Sequence, residues 1–270
     1  MQLDNIRNLW KNDSVNKKAS VDLWNSMAGS FNKFVVPTVE SSKFLKLVSD
    51  NNMIKSNFKV LDVGCGAGKY SIALSNLCEK IIGIDLSPKM IENAKSNKEE
   101  YKINNIEFYC EDWADMDLDE RGFENNFDLV FAHMTPAVNS AETFEKLSKA
   151  SKKYCVLCKP TRRSDPVYEK VKELVGINNN KESCDMDIAY AFEMLWLQGY
   201  EPKVEYEKQV WNMEKTLEEA FELYINRVKS YKDITLEEEE IIKKYLESIS
   251  KDGVVSEEVN TTIATLYWQV

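Results

Sequence analysis

The spacing of hydrophobic positions changes near residue 58. Before it, apolar residues recur at helical intervals: Val21, Trp24, Ala28 and Phe31 on one stretch, then Phe44, Leu45 and Val48 beyond Pro37. After it come short, nearly continuous apolar runs at 58–63, 80–85, 106–110, 127–132 and 154–158. Such runs predict strands buried on both faces. Helical stretches separate them, near 69–78, after Ser87-Pro88, and near 141–151. Ser87 supplies an N-cap, Pro88 the first helical position, and Met90, Ile91 and Ala94 an apolar side. Strands alternating with helices predict an α/β fold: a doubly wound, mostly parallel sheet with helices on both faces. Beyond 160 the pattern is helical at 165–176 and 185–198. A strand follows at 203–211, then helices near 216–230 and 235–250, then a last strand at 261–269, which makes seven strands. The 270 residues divide on this reading into an N-terminal helical segment (1–50), a core (51–211 and 259–270) and a helical cap inserted at 212–258.

The most informative segment ends the first strand: Val60-Leu61-Asp62-Val63-Gly64-Cys65-Gly66-Ala67-Gly68. Glycines at alternate positions after a strand let the chain turn sharply into a helix and let a ligand approach the main chain. Spacing separates two cofactor classes. Dinucleotide sites use G-x-G-x-x-G, but the third glycine would fall on Lys69 or Ser71. The pattern here is D-x-G-x-G-x-G. It resembles the cofactor turn of class I S-adenosylmethionine-dependent methyltransferases of the small-molecule type. The resemblance runs over about residues 20–160.

That resemblance implies S-adenosylmethionine as cofactor and S-adenosylhomocysteine as product. It places Asp62, Gly64, Cys65, Gly66 and Gly68 against the methionine and ribose portions. Asp85 ends the second strand, where a carboxylate can accept from both ribose hydroxyls. In Gly83-Ile84-Asp85-Leu86-Ser87-Pro88-Lys89-Met90 the resemblance puts Leu86 and Met90 beside ribose and adenine. Asp112-Trp113 match the adenine position, with Asp112 accepting from the amino group and an adjacent backbone N–H donating. The N-terminal Trp24 and Phe31 belong to a segment that folds over the cofactor in small-molecule members. His133, the one histidine, stands at the carboxyl end of the fourth strand, where ligands of open α/β sheets bind. Three roles fit it: contact with the sulfonium end, acid–base or positioning work on the acceptor, or a structural bond to a loop carbonyl.

Charge narrows the acceptor. Lys and Arg total 35 against 45 Asp and Glu, a formal charge of −10. A protein working on phosphate backbones normally carries a basic face, so a small-molecule acceptor is expected and nucleic acid is not. The first residues lack an apolar core of a signal peptide, and no run of about 18 apolar residues is present. A cytoplasmic protein with no membrane association follows as an expectation. Oligomeric state is not legible.

Two metal readings fail on spacing. Asp115, Asp117 and Asp119 have the first three positions of a calcium loop, but Glu120 replaces the required glycine and Asn126 the final glutamate. Cys155 and Cys158 form C-x-x-C on a strand, where positions three apart face opposite ways. With Cys65, Cys78, Cys110 and Cys184 scattered, no metal is expected. Two rivals to methyl transfer stay open: aminopropyl or carboxypropyl transfer on the same fold, and binding of the cofactor without turnover.

Overall fold

The computed structural model describes residues 2–11, 16–177 and 185–270; Cys184 lies outside them. Five short parallel strands form the body of the sheet: β1 (Lys59–Val63), β2 (Lys80–Asp85), β3 (Ile106–Cys110), β4 (Phe127–His133) and the first part of β5 (Ser151–Ser164). Two long strands, β6 (Lys203–Thr216) and β7 (Val254–Gln269), complete it. The order is β3-β2-β1-β4-β5-β7-β6, with β7 antiparallel to both neighbours. The sheet is thus seven-stranded and mostly parallel. The crossover from β1 outward on either side leaves the ends of β1 and β4 as the switch point, the place where such sheets bind ligands.

Alternating side chains feed two core layers. On one side, α3 (Lys43–Asp50), α4 (Lys69–Leu74) and α5 (Pro88–Glu100) cover Val60, Phe108, Phe131 and Val156. On the other, α1 (Gln2–Leu9), α6 (Ala141–Ala150) and α8 (Asp185–Leu197) cover Leu61, Val130, Leu157 and Trp268. Each such side chain, fully buried, stabilises the fold by about 1.5–3 kcal/mol. Helix starts carry their own caps: Ser87 accepts from Met90 N and precedes Pro88, and Ser140 with Thr143 forms a capping box. Cys155 packs in the second layer and Cys158 in the first, so the sheet separates the two thiols.

The first fifty residues do not act as one segment. In α1, Ile6 and the following Trp10 are buried in the α6/α8 layer, and Arg7 bonds Glu145 of α6 at 2.7 Å. The other two helices lie on the other side: α3 in the α4/α5 layer, and α2 (Lys17–Phe31) against α5 and α9 (Leu217–Lys229). The spacing of Ile6 and Trp10 fits a helix but says nothing about which layer receives it.

Strands β5, β6 and β7 are longer than expected. Residues 159–164, 212–216 and 254–260 extend the ladder past the core. None of these stretches carries a continuous apolar run to betray it; 159–164 pair with 260–264 of β7 and 212–216 with 254–258. Between β6 and β7, α9 and α10 (Leu236–Ile249) pack with α7 (Pro166–Leu174) and with Leu23 of α2 into a third core. A buried polar cluster lies against it. Asp165 accepts from Arg163 at 2.8 Å and Arg227 at 2.9 Å, while Arg227 lies 3.4 Å over the Tyr168 ring. Burial opposes ionisation of Asp165, but the hydrogen bond with Glu257 and the two arginines hold its carboxyl below the ordinary range. Burial and the neighbouring Asp165 push Glu257 up. Tyr224 completes the set, donating to Glu257 at 3.0 Å. The cap is thereby tied to β5 and β7 by matched charges rather than by an unpaired buried ion.

Candidate active site

The turn after β1 is held by the end of β2. Gly64 N and Cys65 N both donate to Ile84 O, at 2.8 and 2.9 Å. Asp85 then clasps the turn: its carboxylate accepts from Gly66 N and from Ser87 N, each at 2.9 Å. Burial raises the Asp85 pKa, and these two backbone donors oppose the rise. The glycine turn and the acid at 85 therefore form one unit.

The three glycines serve different ends. All have positive φ, at +71°, +53° and +82°, a conformation that favours glycine. At Gly64 a Cβ would sit 2.0 Å from Thr135 Oγ1, and at Gly68 one would sit 2.8 Å from the Phe108 ring. Those two are needed for protein packing, of the β4 loop on the turn and of α4 on β3. The expectation of close ligand approach is corrected there: protein side chains already fill the space. At Gly66 a Cβ would meet nothing nearer than Met90 Sδ at 4.0 Å. The main chain at Gly66 is thus open where the other two glycines are filled, and it lies beside the Asp85 carboxylate and the buried Met90. The residues present fit the group.

Side chains expected at the site divide. Asp62 is buried and accepts from Ser71 Oγ at 2.7 Å, which ties the strand to α4. Leu86 is half-buried next to Asp85. Cys65 packs into the first core layer, with burial pushing its thiol well up; it offers the site its main chain only. Trp113 is 2% exposed, lies in the opposite layer and donates from Nε1 to Thr143 O at 2.9 Å. Its ring is a core group, a correction that leaves only its backbone for adenine. Asp112 remains accessible and pairs with Lys17 at 3.0 Å, and Lys17 also bonds Asp115. Asp117 accepts from Asp119 N and Glu120 N, so the acidic loop uses its carboxylates on its own main chain.

Trp24 and Phe31 meet edge to face at 5.9 Å, and Phe31 is 47% exposed. The bonds that hold α2 in place come instead from polar groups along it. Asn25 Oδ1 accepts from Ser87 Oγ at 2.7 Å, Asn93 donates to Ala28 O at 3.0 Å, and Asn97 donates to Asn32 at 2.8 Å and to Ala67 O of the glycine turn at 3.0 Å. On its other side Asn226 of α9 reaches Ser26 at 3.5 Å. Helix α2 is a strap from the loop after β3, across α5, to α9. Sequence reasoning missed Asn25, Asn93, Asn97 and Lys17, because polar residues on helices carry no periodic signal. Thr135 was missed too, although it follows directly on the His133-Met134 pair.

His133 is wedged against Tyr70 (ring centroids 4.0 Å) and Phe44 (4.9 Å). Burial, with the Lys69 charge nearby, lowers its pKa to about 3. An imidazole of that pKa is a poor base at neutral pH, which disfavours the acid–base role. The remaining aromatics are mostly structural: Trp268 and Tyr267 are buried, Trp211 lies under Arg163 at 5.3 Å, and Trp196 is exposed on α8. A separate groove of about 600 Å³ opens between α8 and the β6/β7 side, lined by Thr161, Arg162, Phe192, Val204 and Tyr206. It includes none of the turn residues.

A model of a methyltransferase domain matches residues 54–220, more than half of the chain. The chain belongs to this family: it is a class I S-adenosylmethionine-dependent methyltransferase. S-adenosylmethionine is its cofactor. The enzyme is 31% identical over 77 residues to a human tRNA (uracil-5-)-methyltransferase homolog A, covering 28% of this chain and 12% of that protein. It is 28% identical over 124 residues to the malonyl-[acyl-carrier protein] O-methyltransferase of Bacillus anthracis, covering 45% and 43%. The matched part spans less than half the length of each of these relatives. Among solved structures, BH2331 of Bacillus halodurans C-125 matches with a TM-score of 0.52 at 17% identity, over 84% of this chain and 99% of that one. The YcgJ protein of Bacillus subtilis matches at 0.51 and 18%, over 83% and 96%. At such identities the likeness is one of fold. Among the described residues, no helix of the methyltransferase is long and apolar enough to cross a membrane.

Two ionisations give early tests. Acidification to pH 5 is expected to leave the single imidazole neutral in the folded enzyme, read from its ¹⁵N shifts; protonation near pH 6.5 would contradict the wedge. The sign for stability follows: the unfolded chain binds a proton near 6.5 and the folded one near 3, so His133 costs stability as pH falls through that window. Asp62 behaves oppositely. Burial raises it from 3.8 to about 7, so the folded state holds the proton longer. Its contribution is full below about pH 3.8 and is lost as pH rises towards 7. Urea denaturation of Asp62→Asn should show a flatter loss of stability across that range than the wild type.

Proposed function

We propose that the enzyme methylates a small molecule enclosed beneath α2 and the cap. The observation that carries this reading is the strap: α2 bonds to Asp112, to Ser87 and Asn93 of the α5 end, and to Asn226 of the cap. An approach to the turn spanned by α2 suits a compact acceptor better than a nucleic-acid duplex or a folded RNA loop. The net charge of −10 adds to this.

On this reading Asp85 grips the ribose, Gly64, Gly66 and Gly68 carry the bend around the methionine end, Leu86 and Met90 flank ribose and adenine, and Asp112 takes the adenine amino group. Lys17 would have to share Asp112 with that group. S-adenosylmethionine supplies an electrophilic methyl on a sulfonium that leaves as a neutral thioether. The protein's part is to align the acceptor and exclude water, effects that together can supply about 7–11 kcal/mol. Tyr70, Phe44 and the neutral His133 offer an apolar wall at the β4 end for this purpose, and a neutral imidazole adds no repulsion toward a cationic sulfonium. A proton on the acceptor would leave to a group other than His133.

The two relatives point by name to RNA uracil and to an acyl-carrier-bound malonyl group, so the test includes both. Radiolabelled methyl from S-adenosylmethionine is offered to panels of small amines, phenols, thiols and carboxylates, to total tRNA and rRNA, and to acyl-carrier substrates. Transfer to a small acceptor with S-adenosylhomocysteine as coproduct is expected. Preferential labelling of RNA, or methylthioadenosine as coproduct, would overturn the reading.

A further inference from the structure

Strand β6 is the last strand of the sheet and is fourteen residues long. None of its residues is buried. Among the described residues, the backbone of 206–215 bonds only to β7. A long uncovered edge is a template for pairing with another strand, and proteins either blunt it or use it. Four of its charged residues, Glu207, Lys208, Glu214 and Lys215, form no ion pair within the chain among the described residues.

Two copies pairing edge to edge about a two-fold axis must run antiparallel, and each residue then faces one at equal distance on the other side of the centre. The sequence Lys203-Val204-Glu205-Tyr206-Glu207-Lys208-Gln209-Val210-Trp211-Asn212-Met213-Glu214-Lys215-Thr216 decides between centres. Centres at 205, 206, 207, 208 and 209, and at 214 and 215, set like charges opposite one another. Centres at 212 and 213 oppose no charges. A centre at 210 joins only Glu205 with Lys215. A centre at Trp211 joins Glu207 with Lys215 and Lys208 with Glu214, each twice by symmetry, with no like pair. Lys208 and Glu214 share one face with Val210, which is 56% exposed; Glu207 and Lys215 share the other with Trp211. The remaining pairs, Gln209 with Met213, Val210 with Asn212 and Tyr206 with Thr216, bring no conflict.

We propose that β6 is a homodimer interface in which residues 206–216 of two copies pair antiparallel about Trp211, continuing the seven-stranded sheet into one of fourteen. The partner is a second copy of this chain, and the alternating charges select the register.

The test uses the full chain in sedimentation equilibrium. Wild type at about 50 µM, a level at which interfaces of micromolar affinity are occupied, is expected at twice 31.2 kDa. Lys208→Glu with Lys215→Glu sets glutamates opposite glutamates and is expected to weaken dimerisation by about 100-fold. The fourfold swap Glu207→Lys, Lys208→Glu, Glu214→Lys, Lys215→Glu restores the unlike pairs and the dimer, which separates lost pairing from lost folding. For register, chains carrying Val210→Cys and chains carrying Asn212→Cys, both with Cys110→Ser, are mixed and oxidised. A cross-link is expected in the mixture and not within either alone, because only opposed positions reach disulfide distance. A monomeric wild type, a dimer indifferent to the double reversal, or equal cross-linking of Val210→Cys with itself would overturn the proposal.

Discussion

Gly64→Ala is expected to destabilise the enzyme by about 3 kcal/mol or more, the largest effect of any single methyl group in the turn. Two terms add. The residue has φ +71°, which costs an alanine about 1 kcal/mol. Its Cβ would also stand 2.0 Å from Thr135 Oγ1 and 2.6 Å from Thr135 Cβ. A rotamer change at Thr135 moves the hydroxyl but not the Cβ, so the β4 loop must shift. That loop is held by Met134 N bonding Cys158 O at 2.9 Å and by Lys159 donating to Thr135 O at 3.2 Å. Gly66→Ala is the control: it shares the left-handed backbone but meets only Met90 Sδ, at an uncrowded 4.0 Å, and it should cost about 1 kcal/mol. Urea denaturation of the two variants compares them directly. Equal losses would mean that the Gly64–Thr135 contact does not constrain the turn.

Asp85→Ala is expected to weaken S-adenosylhomocysteine binding by about 100-fold, or roughly 3 kcal/mol. The carboxylate has two tasks in this account. It aligns Gly66 N and Ser87 N at 2.9 Å, and it accepts the ribose hydroxyls through charge-assisted bonds of about 1.5–3 kcal/mol each. Asp85→Asn keeps one carbonyl acceptor and should fall between wild type and alanine. Calorimetric titration at pH 7.5 reads both. If adenosine and S-adenosylhomocysteine bound Asp85→Ala as well as wild type, the ribose would lie elsewhere.

The sheet and the cofactor turn were legible because burial on both faces leaves an unbroken apolar run, and glycine at alternate positions has few other uses. The reason for each glycine was not legible. Thr135 and Phe108, which claim the space at Gly64 and Gly68, come from distant parts of the chain. Trp113 read as a site residue from its neighbour Asp112, but one position along an irregular loop turned it into the opposite core layer. The strand extensions at 159–164 and 254–260 were not read from the sequence, because ladder hydrogen bonds leave no mark on stretches without a continuous apolar run. The buried charges Lys159, Asp165 and Glu257 were invisible for a related reason: each has a partner far away in sequence, Asp187, Arg227 and Tyr224 in turn.

The central claim is that the adenosyl group rests on bare main chain at Gly66. Asparagine tolerates the left-handed conformation better than other side chains, so Gly66→Asn puts bulk into that space with little strain. Titration of this variant with S-adenosylhomocysteine is expected to show binding weakened by about 100-fold or lost, with its urea midpoint close to that of Gly66→Ala. Wild-type affinity in a folded Gly66→Asn enzyme would contradict the claim.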